Sequence, residues 1–329
     1  MKCAVIQRHG TELTNVVIQN REDLTATGED VRVKVVATAL NRADLLQRRG
    51  LYNPPQGVVQ DIPGLEFVGY VDKVGNDVTE WRDGDRVLGI VAGGAHAEQV
   101  VTNQWALLPV PEELSHTEAA AIPEAFITAH DALVTQGGMK HGDLVLVHSA
   151  AGGVGSAAIQ LVNLFDARAA GTVGSTEKMQ KVAEITPYFG INYREDDFQK
   201  SIEAEFGPSP VDLVLDTVGA SYLKRNIELL KDRGTLVIVG LMGGAEETAP
   251  LAEILRKRLH VIGTVLRSRS LEERIEVTQA FAHQVIPHFT SGELRPLIDS
   301  VFPFDQLHKA TERMENNENT GKIVLELSI

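Results

Sequence analysis

The chain of 329 residues has one cysteine, Cys3, only 5% aromatic residues, and no excess of positive charge. One thiol closes no intramolecular disulfide and builds no cysteine-based zinc site. No apolar run approaches the ~20 residues of a bilayer span, and Met1-Lys2 leads into no hydrophobic signal core. The expectation is a cytoplasmic protein with no membrane partner. A net charge of −14 repels nucleic-acid phosphate on average, so no nucleic-acid partner is expected. Internal repeats and low-complexity segments are missing too. What remains is a hydrophobic fraction of 43%, spread over a length that exceeds one ordinary core and suits two domains.

The stretch from 144 to 161, LVLVHSAAGGVGSAAIQL, organises the rest. An apolar β-branched run breaks at Ala150-Ala151-Gly152-Gly153-Val154-Gly155 and resumes with helical spacing at Ala158, Ile159, Leu161 and Val162. That order is strand, tight turn, helix. A diphosphate needs glycine in such a turn: Gly152 lets backbone approach the anion, and Gly155 lets the helix lie close to its strand. The helix start then offers unpaired N–H groups and the positive end of its dipole. Ala150 stands where the full pattern has its first glycine, giving A-x-G-x-x-G, a turn that also precedes helices binding nothing.

In an NAD site an acid about twenty residues further on holds the ribose 2′-hydroxyl. Here the second strand, Arg168 to Val173, is followed by Gly174-Ser175-Thr176-Glu177-Lys178, with Gly174 at about the acid's position. A 2′-phosphate suits that uncharged pocket better, because Ser175 can donate to it and Lys178 can neutralise it. The expected cofactor is NADPH. The competing reading makes Lys178 a solvated lysine on the next helix.

Residues 1 to 123 read as β-rich. Val31-Arg32-Val33-Lys34-Val35 alternates as a half-buried strand, Phe67–Val74 and Arg86–Val91 are further candidates, and glycines punctuate the whole. From Ser115, which stands at capping-box spacing from Glu118, helix begins. Strand candidates at 144–148, 168–173, 191–194, 211–216, 235–240 and 260–265 alternate with helices and imply a doubly wound parallel sheet of six strands. The tail adds a strand at Ser300-Val301-Phe302, a helix capped by Asp305, and a strand at 322–327. Residues 124–266 are therefore expected as a cofactor domain inserted into a β-rich domain made of 1–123 and 267–329. The active site is expected in the cleft between them.

This order resembles the medium-chain dehydrogenase/reductase superfamily. Asn41 to Arg48 with Gly50, Tyr52 and Pro54-Pro55 resembles its zinc-independent quinone oxidoreductases. So do Ile122-Pro123-Glu124-Ala125, Asn192-Tyr193, Gly240 to Gly244, Leu266 to Arg269, and Gly321 to Leu327. The segment Ile185 to Gly190 departs from the family's Leu-Gly-Ala turn. The fold implied is α/β: a GroES-like β-rich catalytic domain with an inserted Rossmann domain. Zinc members carry Cys at the position of Asn41, His at Leu65 and Cys at about Glu124, and only Glu66 survives from that neighbourhood. No metal is expected.

A metal-free member suits particular substrates. Hydride addition to a simple ketone leaves an alkoxide with a conjugate acid near bulk water's pKa of about 15.7, where a Lewis acid is valuable. Addition to a quinone or enone leaves a phenolate-like or enolate-like anion, nearer tyrosine's value of about 10, and hydrogen bonds suffice. Quinones, ortho-quinones among them, are the expected substrates. Conjugated enones are the neighbouring alternative, and a crystallin-like or RNA-binding protein is the non-catalytic one.

Asn41, through its amide, and Tyr52, through its phenol, are the side chains expected at the substrate oxygen; Tyr52 packing on Pro54 and Pro55 is the alternative. The resemblance implies cofactor contacts from Thr128, Tyr193, Gly219, Leu241, Met242, Leu266, Arg267, Asn319 and Lys322, beside Ala150, Gly152, Gly153, Val154, Gly155, Gly174, Ser175 and Lys178. Asp216 reads as a strand-end turn former. His96 reads as a substrate-facing or surface-loop histidine, and His148 as a packed one. The resemblance also implies a homodimer joined along the strand at 260–265.

Overall fold

The computed structural model describes residues 1–327. The chain divides into two compact units, Met1–Ile127 with the chain from Leu266 onward, and Thr128–Val265. The first unit opens with β1 (Lys2–Ile6), β2 (Val16–Asn20), β3 (Asp30–Ala39), β4 (Glu66–Val74), β5 (Arg86–Ile90), β6 (Gln99–Asn103) and β7 (Leu107–Pro109). The second holds β8 (Leu144–Val147), β9 (Arg168–Val173), β10 (Phe189–Asn192), β11 (Val211–Asp216), β12 (Leu230–Ile238) and β13 (His260–Gly263). The chain then returns to the first unit for β14 (Ile298–Pro303) and β15 (Lys322–Glu326).

In the first unit seven strands form one sheet, ordered β14-β15-β3-β4-β5-β7 with β6 also on β3, while β1 and β2 pair separately. The alternation in β3 sends Val31, Val33 and Val35 into the core with Phe67, Val87 and Leu107. Arg32, on the other face, donates to Asp72 at 2.8 and 2.9 Å. Strand β15 runs antiparallel to β3 with Val324 opposite Ala39, a register that brings Lys322 beside Leu40 and Asn41.

The second unit is a sheet of six strands, all parallel, in the order β10-β9-β8-β11-β12-β13. All four residues of β8 are buried, the unbroken apolar run that a strand covered on both faces needs. The order reverses between β8 and β11, and open α/β sheets bind ligands beyond the carboxyl ends of the strands at such a switch point.

Several boundaries differ from the sequence expectation, most by one or two residues, and three of them have a local cause or a clear offset. Asp305 does not cap the last helix: it lies inside a 3₁₀ turn, Phe304–Gln306, and Gln306 precedes the helix Leu307–Glu315. Strand β10 begins two residues early, at Phe189. Strand β12 begins at Leu230, paired with Val211 ahead of an irregularity that the turn-like Lys231 to Gly234 conceals.

Candidate active site

The glycine turn of the second unit separates two roles for glycine. A Cβ on Gly155 would lie 2.1 Å from the Ser149 carbonyl oxygen and 2.7 Å from Ala150 Cα, so the helix Gly153–Leu164 packs on its turn only with glycine there. A Cβ on Gly152, at the N-cap, would meet nothing nearer than the Ser149 oxygen at 3.3 Å. The protein's own packing therefore asks much less of Gly152 than of Gly155, and its bareness leaves the helix N-terminus uncovered. Ala150 is fully buried with its N–H bonded to the Thr172 carbonyl at 2.9 Å, and its methyl lies where a Cβ on Gly171 would come within 2.7 Å of it.

Beneath the turn a buried polar chain ties three strand ends together. His148 Nε2 lies 2.7 Å from Asn226 Oδ1 and Nδ1 lies 3.0 Å from Thr172 Oγ1. Asn226 Nδ2 donates to Asp216 Oδ2, and Asp216 Oδ1 accepts from the N–H groups of Val218 (2.7 Å) and Gly219 (3.1 Å). Burial pushes the His148 pKa down, so the ring is held neutral, with Nε2–H donating. Asp216 therefore forms the turn that begins the next helix, and His148 is a packed residue.

At the end of β9, Gly174, Ser175 and Lys178 are partly exposed. A Cβ on Gly174 would come within 3.0 Å of Tyr193 Oη, which places Tyr193 against the same corner. The Ser175 hydroxyl oxygen caps the helix Thr176–Ala183 by accepting from Lys178 N–H at 3.2 Å, leaving its hydrogen to give. Leu241 and Met242 are both 54% exposed beyond β12, and Thr128 is partly exposed on the helix Pro123–His130.

The first unit holds a second cluster. Glu66, fully buried on β4, accepts from Lys322 Nζ at 2.6 Å and Asn41 Nδ2 at 2.8 Å through one oxygen, and from Glu124 N–H at 2.9 Å through the other. Lys322 Nζ also donates to the Leu40 carbonyl (3.0 Å) and Asn41 Oδ1 (2.6 Å). Asp44 accepts from the N–H groups of Asn41 and Gly64 and lies 3.8 Å from His96. Arg267 donates to the carbonyls of Ala92 (2.7 Å) and Tyr52 (2.8 Å) and to Gln47 Oε1 (2.5 Å), and it stands 4.9 Å from the Tyr52 ring centroid.

This geometry reassigns several residues. Asn41 spends one amide hydrogen on Glu66 and the other on the Ala39 carbonyl at 3.3 Å, while its oxygen takes Lys322. It holds the site together and has no hydrogen left for a substrate. Lys322 has three acceptors for its three hydrogens, and Arg267 turns inward to fix the loop carrying Tyr52, so both side chains organise the first unit and only their main chains are left for the expected cofactor contacts. Leu266 is buried, and Asn319 Nδ2 donates to the Gly321 carbonyl at 2.8 Å. His96 is 1% exposed, not a surface-loop residue. The Tyr52 hydroxyl has no hydrogen-bond partner among the described residues, and burial beside Glu124 pushes its pKa up to about 12. Sequence reading passed over Glu124 as a proton-carrying group, although its place after Pro123 at a helix start was visible.

Residues 27–112 match the model of the alcohol dehydrogenase GroES-like domain, and residues 189–325 match that of a zinc-binding dehydrogenase. Quinone oxidoreductase-like protein 2 of Bos taurus is 30% identical over 299 residues, spanning 91% of this chain and 85% of that protein. The structure of Escherichia coli quinone oxidoreductase complexed with NADPH is 26% identical, with a TM-score of 0.88 over 99% of this chain and 100% of the other. That of the CurK enoyl reductase is 25% identical, with a TM-score of 0.85 over 99% of each. The donor set here does not fit the metal in the second model's name: an amide, a buried leucine and an ammonium stand around Glu66. Among the described residues no group of three His, Cys, Asp or Glu is placed to hold a metal.

Proposed function

We propose that this chain, which belongs to the medium-chain dehydrogenase/reductase superfamily, is an NADPH-dependent quinone oxidoreductase that works without a metal. The observation that carries the reading is the Lys322–Glu66–Asn41 cluster. Asn41, at a position where zinc members carry a cysteine, is an amide saturated by Glu66, Ala39 and Lys322, which supports a substrate whose reduced form is already a weak oxygen base. When bound, the nicotinamide supplies the hydride. The second unit's own residues bind and orient: Gly152 leaves the helix N-terminus open to the diphosphate, and Ser175 and Lys178 recognise the 2′-phosphate. In the first unit Arg267 fixes the Tyr52 main chain and flanks its ring, so that the free hydroxyl, protonated throughout the neutral range, donates a hydrogen bond to the quinone oxygen.

The likeness to an enoyl reductase favours a second reading, reduction of a conjugated enone, whose enolate makes the same demand on the site. One experiment separates them: NADPH consumption with 1,2-naphthoquinone or 9,10-phenanthrenequinone against simple ketones and enones, each repeated with NADH. Turnover of ortho-quinones with NADPH is expected. Enone turnover alone moves the substrate, and silence on every acceptor defeats the enzyme reading in favour of a binding protein.

Lys178→Ala is expected to weaken NADPH binding by about tenfold or more while leaving NADH binding nearly unchanged, since a charge-assisted bond to phosphate is lost. Equal losses for the two cofactors, read by fluorescence titration, would remove the 2′-phosphate assignment. The reading includes a homodimer joined along β13, the outer strand of the second unit's sheet. Sedimentation as a monomer at micromolar concentration would overturn that part.

A further inference from the structure

Reduction of a quinone to a hydroquinone needs a proton as well as a hydride, and the first unit contains a carboxyl group that its hydrogen-bond network does not use. Glu124 lies in the first turn of the helix Pro123–His130. Its main-chain N–H is taken by Glu66, so a carboxylate already occupies the positive end of that helix. Its own carboxyl group has no hydrogen-bond partner among the described residues, and the residue is partly exposed.

The charges facing it are balanced without it. Glu66 on β4 and Asp44 on the helix Arg42–Arg48 are anions; Lys322 on β15 and Arg267 are cations; neutral Tyr52 shares the cluster, and His96 adjoins Asp44. Two negative and two positive groups leave an ionised Glu124 as an uncompensated charge beside Glu66, and a protonated Glu124 as the neutral solution.

We propose that Glu124 is the proton donor of the reaction, delivering its carboxyl proton to the oxygen of the reduced quinone. The step rests on the quinone reading above. The quinone takes a hydride, with its two electrons, and one oxygen becomes anionic. The O–H bond of Glu124 breaks as a new O–H bond forms on that oxygen, and the resulting carboxylate recovers a proton from water.

Acidity decides between Glu124 and Tyr52. Burial, then repulsion from Glu66, raise the Glu124 pKa to about 8, whereas that of Tyr52 is about 12. A hydroquinone monoanion resembles a phenolate, with a conjugate acid near 10. The carboxyl group is the stronger acid of the two and the phenol the weaker, the order in which Glu124 protonates the oxygen and Tyr52 orients it.

The test pairs Glu124→Gln with two readouts. In the cofactor-free protein, difference infrared spectroscopy across a pH titration is expected to show a protonated-carboxyl band lost near pH 8 and missing from the variant. With NADPH and 9,10-phenanthrenequinone, wild-type kcat is expected to fall as pH rises through about 8. Glu124→Gln is expected to lose about a hundredfold in kcat together with that alkaline limb, with NADPH affinity retained, and Glu124→Ala to regain turnover in imidazole buffer. Tyr52→Phe keeps the limb and loses several-fold in kcat. If wild type reduces quinones and Glu124→Gln keeps its rate and limb, the donor assignment falls and the quinone reading stands. If wild type reduces no quinone, the quinone reading falls and the donor role falls with it, even where the infrared titration detects the protonated carboxyl.

Discussion

Replacing Glu66 with alanine is expected to destabilise the first unit by about 3–5 kcal/mol, the usual cost of removing one member of a buried ion pair. The loss is concentrated because one carboxylate serves three donors: Lys322 Nζ, Asn41 Nδ2 and the Glu124 N–H. Without it an ammonium with 5% side-chain exposure has no counter-charge, and an amide and a main-chain N–H are orphaned. Urea denaturation is the measurement. The double variant Glu66→Leu with Lys322→Met should recover part of the loss, since an apolar pair removes both charges, but not all, because Asn41 and the Glu124 N–H stay unpaired. A stability for Glu66→Ala within about 1 kcal/mol of wild type would mean that the pair is not closed as described.

The second large effect is expected from the two glycines of the nucleotide turn, which should fail in opposite ways. In Gly155→Ala the added methyl meets main-chain atoms at 2.1 and 2.7 Å, and no side-chain rotation relieves such a contact, so helix and turn must separate. Thermal unfolding of the cofactor-free protein should fall by several degrees, and NADPH binding should be lost with it. Gly152→Ala should lose much less stability, because its methyl meets a single main-chain oxygen at 3.3 Å that a small shift relieves, yet bind NADPH at least about tenfold more weakly, because the methyl stands where the turn's backbone approaches the diphosphate. Equal melting temperatures for the two variants would deny the close approach at Gly155. Undiminished NADPH affinity in Gly152→Ala would deny the cofactor reading of the turn.

Local signals carried most of the architecture. The β8 strand, its turn and its helix lie within twenty-one residues, and glycine, β-branched residues and helical spacing mark them directly. The capping box at Ser115 and Glu118 is likewise local, and forms as expected. The polar cluster of the first unit was legible only as chemistry, not as partnership. Asn41 reads as a donor because it is an amide, and nothing nearby in the sequence says that Lys322, 281 positions away, already occupies its oxygen. Lys322 itself opens a strand, where a lysine ordinarily faces solvent; the β15–β3 register turns it inward. His96 sits among glycines, which mark a loop, but Gly64 and Asp44 close over it and leave it buried.

The register of β15 on β3 also has a consequence for biosynthesis. Glu66 and its counter-ion are separated by 256 residues, and the entire second unit is translated between them. On the ribosome, all six strands of the second unit's sheet exist before the first unit's cation does, so the nucleotide turn has its supporting elements while Glu66 and Asn41 still await theirs. Until β15 emerges, Glu66 has Asn41 and the Glu124 N–H to donate to it but not its counter-ion. Synthesis thus delivers every strand of the second unit before the counter-ion of the first unit's buried carboxylate, which arrives on a strand of five residues.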